Sequence, residues 1–241
     1  MHPREDHSTP RPRAPKRPIE PPPGASLKRS ATAPHRADPA LPLSTEDPLK
    51  DLHAVNERLI ELLIQAARSG EPPALALVAH LRGKLREMSP EGRSRAARRP
   101  FCLANMDFEM EREWDRGLAR RNGSDSSWSA RGLFPRGPAL QLARSTLTLA
   151  WYSARADGAT AALTFGMHPR VAQQIASLTL TEIEGLAERH FRRARPRWED
   201  RYGLWRQILQ TADCEDLRRA REVDFRGLKL MGAALMSADD P

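Results

Sequence analysis

Leu147–Ala187 reads LTLAWYSARADGATAALTFGMHPRVAQQIASLTLTEIEGLA, the densest alternation of apolar and small residues in the chain. A long helix running through Ala154 is expected to stop at Asp157-Gly158, a cap residue followed by a helix breaker. Three short helices should follow, over Ala159–Phe165, Pro169–Ser177 and Thr181–His190. Between the first two lies Phe165-Gly166-Met167, a tight turn in which glycine takes positive φ at little cost. Val171, Ile175 and Leu178 then recur on one helical face, so the stretch predicts an all-α fold.

Upstream, Leu140, Ala143, Leu147, Ala150, Trp151 and Ala154 repeat at helical intervals from a start near Ala139. Small alanines alternating with Leu and Trp permit close helix approach, so these residues form a seam, within the chain or against another copy. Asn122–Pro138 is a Gly/Ser/Pro linker, with Leu133-Phe134 available to dock on a neighbouring surface. It separates two expected helical units, 45–121 and 139–241. In the first, Asp47-Pro48 starts a helix bearing Leu52, Leu59, Leu63 and Ala66, and Gly70 stops it. A second helix carries Leu77, Val78, Leu81 and Leu85 to near Met88. Ser89-Pro90 starts a third, which runs through Arg99 to Pro100. Phe101, Leu103, Met106 and Phe108 form an apolar connector, and Met110, Trp114 and Leu118 one more stripe. Near the other end, a last amphipathic helix over Cys214–Met236 carries Leu217, Leu228, Met231 and Leu235.

Residues 1–44 read as a disordered tail in which Pro recurs among Arg and Lys and large apolar residues are nearly absent. Its first forty residues hold eight basic against four acidic side chains. The whole chain has 241 residues, 29% of them charged, and a formal net charge of +8, which favours an anionic partner. With 39% hydrophobic residues and a mean hydropathy of -0.62, the core is expected to be thin. The distant Cys102 and Cys214 offer no disulfide framework and suggest a reducing compartment. No run is long and apolar enough for a membrane span or a signal peptide, so a cytoplasmic location and no membrane partner are expected.

Chemistry-bearing constellations are missing. His53, His80, His168 and His190 have no Cys or His at ligand spacing, and no GxSxG, GxGxxG or phosphate-loop pattern occurs. No catalytic residue, metal or cofactor is therefore expected. Two segments do suit nucleic acid. Ala162, Phe165, Gly166, Met167, Ala172 and Ile175 supply the small and apolar positions of a helix-turn-helix, with His168, Arg170, Gln173 and Gln174 outward. Arg and Gln match guanine and adenine edges or phosphates. The same pattern also fits a helical hairpin that simply packs on the long helix. Downstream, HFRRARPRWEDRYGLW over 190–205 puts Arg192, Arg193, Arg195, Arg197 and Arg201 among Phe191, Trp198, Tyr202 and Trp205. The aromatics, spaced at 198, 202 and 205, are expected to be buried and the arginines exposed, with Arg195 and Arg197 pairing with Glu199 or Asp200.

Leu147, Leu149, Ala150, Ala154, Ala161, Gly166, Ala172, Ile175, Ala176, Ser177, Leu178, Leu186 and Ala187 resemble the FlhD family of bacterial flagellar transcriptional regulators. The resemblance covers about forty of the 241 residues, nearly all helix-packing positions. It implies an all-α protein that dimerises through its long helix and regulates transcription, with DNA contacted directly or through a partner subunit. The residues also fit a second class, an adaptor that binds another regulatory or secretion-system protein without touching DNA.

Overall fold

The computed structural model describes residues 49–69, 75–112, 114, 132–212 and 216–238. The tail over 1–44, the Asp47-Pro48 start, the Gly70 stop, Leu118 and most of the Gly/Ser/Pro linker lie outside the described residues.

Nine α-helices make up nearly all regular structure among the described residues. α1 (Lys50–Arg68) turns Leu52, Val55, Leu59, Ile60 and Leu63 inward. α2 (Ala76–Glu87) buries Leu77, Val78, Leu81 and Leu85, a narrow stripe on an otherwise polar helix. α3 (Pro90–Ala97) starts where Ser-Pro predicts: Ser89 Oγ accepts from the Gly92 N–H at 3.0 Å and proline occupies the first turn. α4 (Arg136–Ala156) begins three residues before the expected Ala139, with Pro138 tolerated in the first turn, where no helical donor is needed. α5 (Gly158–Phe165), α6 (Pro169–Ser177) and α7 (Leu180–His190) fall within a residue of their predicted bounds. Asp157 caps α5 by accepting from Ala159 and Thr160, and a Thr179–Glu182 capping box opens α7. α8 (Tyr202–Gln210) and α9 (Leu217–Ala238) complete the set.

The described residues belong to one compact unit. α4 packs on α5, α6, α7 and α1, while α2 and α3 contact α8, and α9 lies on α5 and α8. A single hydrophobic cluster therefore runs from Leu52 to Met231 through both halves flanking the linker.

The apolar connector Phe101–Phe108, which follows α3, is irregular and buried. All eight residues of Phe101–Phe108 are buried, although only Ala104–Asn105 forms a strand (β1), paired antiparallel with Arg195–Pro196 (β2). Buried backbone needs partners, and distant elements supply them. Cys102 N–H donates to Thr164 O at 2.8 Å, Arg197 N–H to Leu103 O at 2.7 Å, and His168 N–H to Phe108 O at 3.0 Å. Asn56 of α1 donates to Ala97 O (3.1 Å) and Phe101 O (2.9 Å) and accepts from Leu103 N–H (2.7 Å). One fully buried amide thus joins α1 to the connector.

Candidate nucleic-acid interface

α5 and α6 are joined by a tight turn over Gly166-Met167-His168. Gly166 sits at φ 55°, ψ 44°, the left-handed position expected of it, and closes α5 through a bond from its N–H to Ala162 O. Two constraints make glycine necessary there: that φ, and the Arg197 guanidinium packed where a Cβ would stand. On α6, Val171, Ala172 and Ile175 are buried, Arg170, Gln173 and Ser177 face solvent, and Gln174 is half-buried. His168, expected to point outward, is buried instead. Its Nδ1 caps α6 by accepting from the Arg170 N–H at 3.3 Å, and its Nε2 lies 3.8 Å from Glu111. Arg170 is 74% exposed and reaches the same Glu111 carboxylate at 3.1 Å.

The basic-aromatic segment departs from its expected layout. After a 3-10 turn over Phe191–Arg193, the chain enters β2 and then a turn at 197–200. Trp198 stands outside α8 at φ 53°, so the helical spacing of 198, 202 and 205 does not reflect one helix face. Trp205 is fully buried, with its indole N–H donating to Arg197 O at 2.7 Å, while Trp198 and Tyr202 are half-buried.

Two of the arginines are interior. Arg193 is 4% exposed and Arg197 5%. Arg197 donates from Nε to Cys102 O at 3.1 Å and from Nη2 to Phe165 O, and its guanidinium carbon lies 6.0 Å from the Trp198 ring centroid. Burial pushes its pKa down, opposed by the charge of Glu109. Those carbonyls take the place that phosphates were expected to fill, because the connector and the end of α5 are otherwise short of donors. Arg195 pairs with Asp107 at 3.4 Å and with Glu199 at 3.7 Å, the second as expected, and is only partly exposed. Arg192 and Arg201 are exposed, Arg192 lying over the Phe191 ring at 5.4 Å.

The seam on α4 is filled by its own chain. Ala143, Leu147, Ala150, Trp151 and Ala154 are buried, Leu140 is partly so, and Trp151 Nε1 donates to Leu178 O at 2.7 Å. This surface is not open to a second copy, because α5–α7 fold back across it.

Positive charge unassigned by the sequence reading lies on α9. Arg218, Arg219, Arg221, Arg226 and Lys229 are exposed, and Asp224 is drawn inward to buried Arg99 at 2.9 Å. On the same helix Leu217 (73% exposed) and Phe225 (64%) face solvent, although Leu217 had been expected to pack inward. The run LRRAREVDFRGLKL carried that signal, masked by the apolar stripe of Val223, Leu228 and Met231 that seats the helix.

Among the described residues, no group of three His, Cys, Asp or Glu side chains is placed to hold a metal, and no helix is long and apolar enough to cross a membrane. Compared with protein-family models, curated proteins and solved structures, the chain matches none.

Proposed function

We propose that the protein is a regulator of transcription of the FlhD-like type, acting on DNA directly or as a partner-dependent subunit. The observation that carries this reading is the α5–Gly166–α6 hairpin, with an apolar inner face and Arg170 and Gln173 outward. A recognition helix needs that division: buried residues fix its pose and the exposed ones meet base edges or phosphates. The exposed cations of α9, with Arg192 and Arg201, supply sequence-independent attraction to the backbone. Arg193 and Arg197 act as internal struts in this account, and any dimer forms through a surface other than the α4 seam.

A gel shift with heterologous duplex DNA at low and high salt tests the reading. Retardation should weaken steeply with salt, and Arg170→Ala with Gln173→Ala should weaken it further. Replacing one phosphate-contacting cation lowers the salt slope by about 1. Absence of retardation at about 10 µM protein in low salt would sink direct DNA binding by this chain.

The second reading, an adaptor that binds a regulatory or secretion-system protein, draws support from Leu217 and Phe225. Large apolar side chains exposed among arginines suit a protein partner with an acidic, apolar face. An adaptor would leave duplex DNA unshifted and lose its partner on Phe225→Ala.

A further inference from the structure

Exposed apolar side chains concentrate on α9. Among the described residues, the three most exposed large apolar side chains are Met236 (77% exposed), Leu217 (73%) and Phe225 (64%), while Met110, Leu163 and Leu180 lie elsewhere at 45% or less. Scattered apolar residues are ordinary on a surface, whereas several along one element mark a contact face.

The fold fixes that exposure. Val223, Gly227 and Met231 hold the opposite face of α9 against the core. The Phe101 ring packs where a Cβ of Gly227 would stand, and Asp224 reaches buried Arg99 at 2.9 Å. A helix turns about 100° per residue, so Phe225 and Met236, about three turns apart, point outward along one line. Rolling α9 to hide them would drive its backbone off Phe101 and strip Asp224 from Arg99.

The same side of the helix is cationic. Arg218, Arg221 and Lys229 lie within about 60° of the Phe225–Met236 line, and Arg219 and Arg226 flank it. Lys229 Nζ stands 5.4 Å from the Phe225 ring centroid. Glu222 shares the arc but pairs with Arg218 at 3.5 Å, and Asp216 accepts from the Arg218 and Arg219 N–H groups. Along 216–236, five exposed cations therefore meet two exposed carboxylates, while Asp213 and Glu215 lie outside the described residues. On its flank, at Leu230, Ala233 and Ala234, α9 also borders a cleft that holds four carboxylates and three arginines. Those positions stand at least about 60° round the helix from the line of Phe225 and Met236.

The partner of such a face is anionic and apolar at once, and it meets a convex ridge. Leu217 to Met236 spans about 28 Å of helix. Duplex DNA offers phosphates to the cations but nothing to Phe225 or Met236. A protein would need a groove of that length with pits at matched spacing. An anionic bilayer needs no matching: its acyl boundary takes apolar side chains at any spacing, and its headgroups surround the cations. We propose that the outward face of α9 docks on an anionic lipid surface. The helix lies in the interface plane, with Phe225 and Met236 at the acyl boundary and Arg218, Arg221 and Lys229 among the headgroups. Lack of a membrane-crossing helix among the described residues excludes a span and not this mode. The proposal goes beyond both readings above and rests on neither.

Co-sedimentation of the full chain with vesicles tests it, comparing pure phosphatidylcholine with a mixture holding about 30% phosphatidylglycerol. Binding to the mixed vesicles should saturate below about 1 mM lipid and be at least about tenfold weaker on phosphatidylcholine alone. Phe225→Ser should weaken it by about tenfold, and Arg221→Gln with Lys229→Gln by about fivefold for each cation. Absence of binding to the mixed vesicles overturns the proposal, as does equal binding to phosphatidylcholine. Unchanged binding by either variant also overturns it. The substituted side chains are exposed, so both variants should keep the wild-type fold, and the comparison of lipids is made on the unaltered chain. Duplex DNA is the competing occupant: if Phe225→Ser abolishes its retardation while vesicles stay unbound, the face belongs to nucleic acid.

Discussion

Arg197→Ala should come close to unfolding the protein, although it removes what the sequence presents as a surface charge. The guanidinium donates to two buried carbonyls, of Cys102 and Phe165, and fills the space against Gly166 and Trp198. A hydrogen bond from a charged donor contributes about 1.5–3 kcal/mol net, and truncation leaves both carbonyls unpaired. Against that, removing the cation relieves its own desolvation cost, and the vacated volume adds a cavity penalty. The balance is a loss of about 3–5 kcal/mol for alanine and about 1–3 kcal/mol for Arg197→Met, which refills the volume without donors. Total stability for such a domain is about 5–15 kcal/mol, so the alanine variant should lie near the edge of folding. Urea denaturation followed by circular dichroism should show a lowered midpoint with an unchanged slope. Arg192→Ala and Arg201→Ala, both at exposed positions, should stay within about 0.5 kcal/mol of wild type. A loss below about 0.5 kcal/mol for Arg197→Ala would refute the burial argument. The same reasoning bars a combined alanine replacement of Arg192, Arg193, Arg195 and Arg197 as a test of DNA binding, since it would abolish binding by unfolding the chain.

The remaining predictions concern other buried or capping groups. Asn56→Leu removes two bonds to the connector and one to the end of α3, and should cost about 3–5 kcal/mol by urea melting, a large penalty for a polar-to-apolar change in a core. Burial raises the Cys102 thiol to about 11, so it should resist iodoacetamide at pH 8 until the chain is unfolded, as mass mapping of the Cys102 peptide would show. Asp157 is held below the usual carboxylate range, first by the Thr160 hydroxyl and then by the Thr160 and Ala159 N–H groups. Its contribution is therefore present above the unfolded-state value and disappears as pH falls below about 4, through the folded-state value. Asp157→Asn should keep the cap and flatten that part of the acid limb of stability against pH.

The sequence speaks most clearly where structure is local. Asp157, Gly166 and Ser89-Pro90 mark helix ends through bonds made within a few residues, so the start of α3 and, within a residue, the bounds of α5–α7 were readable, whereas α3 ends at Ala97, short of the expected Arg99. Nothing local distinguishes Arg197 from Arg192. One is interior because the carbonyls of Cys102 and Phe165, 95 and 32 residues away, converge on it. Asn56 sat unremarked on the apolar stripe of α1, and its polarity there was the available signal of a buried bond. Trp198 fitted a helical spacing only because the turn before α8 happens to place it there. The outer face of α6 was legible as a pattern, whereas the cation-rich face of α9 depends on which elements the fold brings together.

The buried connector also bears on how the chain reaches its native state. Phe101–Phe108 has few partners of its own and borrows them from Asn56, Thr164, His168 and Arg197, groups spread over most of the described length. Large loops must close before any of those bonds can form, so the connector should be among the last parts to lock and folding should be slow for a helical protein. Neither half carries a finished interior. A chain cut within 122–131 should give two pieces that are unfolded separately and regain helical order when mixed, which makes this stretch a natural site for a split-protein reporter.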